Sequence, residues 1–132
     1  MPQKSLTLAV VPGSFAICRL PADAPMPGWA LHAAPGFLSL TRTPAELSVI
    51  CADAAVPGGI TAETGWSCLR IEETFAASEP GVVASVVGPL AAAGLSVFAV
   101  ATFDTDHLLV TDLPAAAGAL TAAGHRVTGT TS

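Results

Sequence analysis

Apolar positions along the chain follow two different spacings, and a cluster of turn residues near position 57 separates them. Residues 6–11 and 15–20 are short apolar runs flanking Pro12-Gly13, a turn dipeptide, and this pattern predicts a β-hairpin. A sixteen-residue loop, 21–36, follows with four prolines and Trp29, an aromatic expected to plug a small core. Residues 37–43 and 47–52 read as two further strands joined by a Thr-Pro-Ala-Glu turn. Eight of the eleven prolines precede residue 60, and Pro57-Gly58-Gly59 marks the break. The predicted division is therefore a β-rich half, 1–59, and a more regular half, 60–132.

In the second half the elements are more regular. Residues 66–72 alternate as a strand. Ser78 suits a helix N-cap, with Glu79 in the first turn and Pro80 where its missing N–H costs nothing. Val83, Val86, Val87 and Leu90 recur at i, i+3, i+4 and i+7, and Ala93-Gly94 ends that helix. A strand at 96–103, a turn at 104–106 and a strand at 107–111 follow. Asp112 then caps a second helix, in which Leu113, Ala116, Ala117 and Leu120 repeat the helical spacing until Ala123-Gly124. A strand at 125–128 closes the set. The order βαββαβ predicts an α+β, ferredoxin-like unit with an antiparallel sheet.

Composition narrows the function. The 132 residues are 52% hydrophobic and 11% charged, which excludes intrinsic disorder. Five basic against ten acidic residues leave no footprint for nucleic acid or for an anionic membrane surface. A charge-free run of 24 residues, 80–103, is long enough to span a bilayer. Pro89 and Gly94 interrupt it and no basic anchors flank it, so a helix, a glycine cap and a strand explain it better. Cys18, Cys51 and Cys68 are odd in number and lie in apolar runs, so they read as buried, reduced thiols. With no leader-like stretch at the N-terminus, the chain is expected to be cytoplasmic.

Right-handed crossovers bring Glu79, Thr102, Asp104 and Asp106 to one sheet edge, beside a helix start. Helix-start N–H groups favour an anion and carboxylates a cation, so the edge suits a small zwitterion such as an amino acid. On a plainer reading, Glu79 complements the helix dipole and the aspartates are turn formers. A metal site at Asp104, Asp106 and His107 is opposed by alternation, which sends Asp106 and His107 to opposite faces. No nucleophile or phosphate-loop motif is present, so no catalytic residue, cofactor or metal is assigned. The alternative function is a ligand-free protein-interaction module that uses the sheet edge.

Three segments carry a resemblance: Glu79-Pro-Gly-Val-Val-Ala84, Gly88-Pro-Leu-Ala-Ala-Ala93 and Thr102-Phe-Asp-Thr-Asp-His-Leu-Leu-Val110. Together they resemble an ACT domain of the type found in small bacterial ACT proteins and the CASTOR arginine sensors. Residues 36–49 and Thr64-Gly-Trp66 are similar to that family's N-terminal ACT-like half, so the resemblance covers about residues 6–128. It implies tandem ACT-like modules and a regulatory sensor that binds an amino acid where two modules meet. The implied ligand residues are Glu79, Gly81, Val82, Val83, Thr102, Phe103 and Asp106. Ser96 and Val97 are implied to come from the facing module, supplied by the second subunit of a homodimer. Two departures bear on the ligand: Ala101 stands where a Ser is frequent, and the 73–78 loop lacks the relatives' acidic-aromatic pattern.

Overall fold

Pro12 and Gly13 do not reverse the chain. In the computed structural model, which describes residues 5–32, 36–73 and 80–129, they lie inside one long strand, β1 (Thr7–Leu20). The predicted hairpin is thus corrected to a single strand. Gly13 takes φ 107°, a conformation that costs glycine nothing, and this absorbs the proline within the strand. What keeps the strand extended is pairing: residues 15–20 lie antiparallel to β3, with Phe15 opposite Ala52 and Leu20 opposite Leu47.

After β1 the chain runs through α1 (Gly28–Leu31), β2 (Ser39–Arg42), β3 (Leu47–Ala52), a 3-10 turn at Asp53–Ala55 and β4 (Thr61–Ile71). It continues through α2 (Val82–Ala92), β5 (Val97–Ala101), β6 (Asp106–Val110), α3 (Leu113–Ala122) and β7 (Arg126–Thr128). The series β4-α2-β5-β6-α3-β7 is the expected βαββαβ order, and the chain has the expected α+β, ferredoxin-like fold.

The chain divides into two compact units, and the cuts fall within strands rather than at the Pro57-Gly58-Gly59 break. One unit is Met1–Val11 with Ser67–Ser132; the other is Pro12–Trp66. In the first, the strand order is β7-β1-β4-β6-β5. β6 is antiparallel to both β4 and β5, whereas β7 is parallel to β1. Residues 7–11 of β1 therefore lie between β7 and β4, so the 60–132 half does not complete its own sheet.

One sheet face of this unit is apolar at every second position: Leu6 and Leu8, Leu69 and Ile71, Leu108 and Val110. Against it pack Val82, Val86 and Leu90 of α2 and Leu113, Ala116 and Leu120 of α3, at helical spacing. Both helices end at glycines that close the last turn identically: Leu95 N–H returns to Leu90 O at 3.0 Å and His125 N–H to Leu120 O at 3.0 Å.

The second unit centres on Ala16, Cys18, Ala30, Leu47, Val49 and Cys51, with Trp29 packed against them as its core reading expects. The Arg42 guanidinium donates to the carbonyls of Ala22 and Ala24 and fastens the proline-rich loop to β2. Among the described residues, no helix is long and apolar enough to cross a membrane.

Candidate functional site

Two segments of the first unit face each other across a cavity of about 330 Å³. One is the start of α2, with Gly81, Val82, Val83 and Ala84; the other is the β5–β6 turn, from Ala101 to Asp106. Of the implied ligand residues, Gly81, Val82, Val83, Thr102, Phe103 and Asp106 all line it. Glu79, like Ser78, lies outside the described residues. The expected start of α2 at 78–80 is corrected, because the helix begins at Val82 with Gly81 as its cap. Ser96 and Val97 do not line it; Ser96 is exposed before β5, and Val97 packs on the core cluster.

The two helices differ at their starts. In α3, Asp112 Oδ1 accepts the Ala115 N–H at 3.1 Å, as expected. In α2 the cap is Gly81, at φ 80°, with no side chain to accept and no acidic residue in the first turn. The helix start that borders the cavity is the one without a side-chain cap, and its N–H groups and partial positive charge favour an anion.

Across the cavity, β5 stops at Ala101 rather than continuing to Phe103, and β6 begins at Asp106. Thr102 closes the turn between them. Its N–H and hydroxyl both donate to the Thr105 carbonyl, at 2.8 and 2.7 Å. The Thr105 hydroxyl donates to the Ile71 carbonyl at 2.8 Å. This network holds Phe103 at the rim, 99% exposed, and draws Asp106 inward to 8% exposure. The Asp106 carboxylate makes no hydrogen bond or ion pair with any described residue. The residue lines the cavity, and a carboxylate there favours a cation.

The neighbouring His107 is neutral more readily than usual. Burial lowers its pKa, the Arg70 guanidinium lowers it further, and Asp106 opposes both. Ala84 and Thr105 line the cavity but were not singled out from the sequence, whereas Ala101, noted as a departure, does line it. The paired threonines at 102 and 105 were the one available signal for the turn network.

An ACT domain model matches residues 61–122, and a second model, described only as an N-terminal domain, matches residues 13–59. Among solved structures, protein Atu0741 from Agrobacterium tumefaciens is 41% identical, with a TM-score of 0.88, covering 96% of this chain and 94% of that one. Aspartate kinase from Clostridium acetobutylicum is 11% identical, with a TM-score of 0.68 over 94% of this chain and 36% of that one. The ligand-free regulatory subunit of aspartate kinase from Thermus thermophilus is 18% identical, with a TM-score of 0.59 over 91% and 99%. The last two likenesses are of fold. No curated protein sequence matches the chain.

Proposed function

The chain belongs to the family of Agrobacterium tumefaciens protein Atu0741 and carries an ACT domain, and from that premise we propose that it is a regulatory sensor of an amino acid. The observation that carries the reading is the placement of Asp106, an acidic residue, on a cavity opposite a helix start without a side-chain cap. The amino acid's carboxylate takes the N–H groups of α2, and its ammonium or basic side chain takes Asp106. A volume of about 330 Å³ accommodates a molecule of that size. The finer likeness to the arginine sensors is supported by the matches at Thr102, Phe103 and Asp106. The regulatory role is supported by the ACT domain match over residues 61–122.

The open side of the site is closed by a second copy. β5 ends the strand order and carries no charged residue, and Phe98 within it is 39% exposed. Such an edge is a template for another strand. Pairing two β5 edges makes a homodimer and brings Ser96 and Val97 of one protomer toward the cavity of the other. The reduced, buried thiols suit a cytoplasmic protein.

Titration calorimetry against each of the twenty amino acids tests the reading. A saturable signal from one or a few is expected. Silence from all twenty at millimolar concentration rejects it, and leaves the edge strand as the docking surface of a ligand-free interaction module.

A further inference from the structure

Pro89 lies inside α2 and has no N–H, so the carbonyl of Ser85, four residues earlier, loses its helical donor. Ser85 is buried, and a buried carbonyl without a donor is costly. The donor comes from outside the helix. Nε2 of His125, the residue before β7, is 2.7 Å from the Ser85 carbonyl. Its Nδ1 lies 3.1 Å from the Leu6 N–H. A carbonyl only accepts and a backbone N–H only donates, so Nε2 carries the proton and Nδ1 is the acceptor. Both ring nitrogens are used, and His125 is 4% exposed.

Ser85 is also where the first turn of α2 is tied. Its N–H donates to the Gly81 carbonyl at 3.0 Å, and its hydroxyl donates to the Val82 carbonyl at 2.7 Å. Gly81 and Val82 line the cavity. We propose that His125 is a positioning residue for the ligand site, holding the cavity-lining start of α2 in place through Ser85. What that helix start binds rests on the sensor reading; the anchoring does not. The proline moves one hydrogen bond out of the helix, and His125, just before β7, supplies it.

Amide hydrogen exchange on the full chain tests this. The reporter is the Ser85 N–H. The reference is the Ala116 N–H, which makes the equivalent first-turn bond in α3, to the Asp112 carbonyl at 2.9 Å. His125→Ala is expected to speed Ser85 exchange by at least about tenfold relative to Ala116. Pro89→Ala returns a backbone N–H to the helix, so in the double variant the ratio is expected within about threefold of the parent. Equal acceleration at both amides, or no rescue by Pro89→Ala, overturns the proposal. Should His125→Ala alone fail to fold, the double variant decides: a folded one supports the anchoring role and an unfolded one overturns it. Neither readout needs a ligand, so a failed amino-acid screen leaves this result standing on its own.

Discussion

The hydroxyl of Thr105 donates to the backbone carbonyl of Ile71 at 2.8 Å, which ties the β5–β6 turn to the end of β4. The paired register of β4 and β6 stops at Arg70 opposite His107, so this side chain continues the pairing by one bond. Thr105→Val keeps the shape and removes the donor. It is expected to lower stability by about 1–2 kcal/mol, read by urea denaturation, while Thr105→Ser stays near the parent. Equal stabilities for the valine and serine variants would show that the bond contributes nothing.

Asp106 and Asp104 lie two residues apart and face different surroundings, one buried and one exposed. Asp106→Asn is expected to leave the unliganded protein about as stable as the parent, because the change is near-isosteric and breaks no hydrogen bond or ion pair to a described residue. The same change is expected to weaken binding of the amino acid found by calorimetry by about 1.5–3 kcal/mol, or roughly 10- to 150-fold. Asp104→Asn should change affinity less than about threefold, since solvent already screens its charge. Matching losses in both variants would reduce the turn to a diffuse acidic field.

Stability should fall on acidification through His107. Its ordinary pKa is 6.5 and the fold lowers it, mainly by burial. Below pH 6.5 the unfolded chain therefore gains a proton before the folded one does, and stability declines until the lowered value is passed. Urea midpoints from pH 8 to pH 5 should show this component in the parent and lose it in His107→Asn. An identical pH profile in the variant would assign the slope to other groups.

The thiols should be inert in the native state. Burial raises Cys18 to about 11, with the neighbouring Cys51 and Asp53 adding to it, and raises Cys68 to about 12 despite the opposing Arg70. Cys51 is raised chiefly by burial as well. At pH 8 almost no thiolate is present and all three side chains are buried. Labelling by a disulfide reagent should follow the rate of unfolding and quicken with urea. Fast labelling of any one cysteine in the native protein would mark that position as open.

The β5 edge should govern self-association. Ala99 is exposed on that strand, and a charge there penalises pairing with an identical edge. Light scattering is expected to give a dimer for the parent at micromolar concentration and a monomer for Ala99→Asp. A parent that remains monomeric removes the second copy from the site.

Local physics determined what the sequence made legible. The helices at Val82–Ala92 and Leu113–Ala122, their glycine ends, the Asp112 cap and the strand Leu47–Ala52 all follow from spacing and capping within a few residues. The segments that face the cavity were legible too, because element order and crossover handedness place a helix start beside the turn after β5. What depended on distant partners was decided only by the tertiary structure. Pairing with β3 keeps residues 15–20 extended and turns a predicted hairpin into β1. The position of residues 7–11 between β7 and β4 moves the division of the chain away from its glycine-rich break. Nothing in the local run Asp104-Thr-Asp106 says which aspartate is buried. The Thr105–Ile71 bond spans 34 residues and the His125–Ser85 bond 40, and no periodicity reaches that far. Burial and hydrogen-bond satisfaction belong to the assembled sheet and its helices, and they separate a buried carboxylate from a turn former of the same residue type.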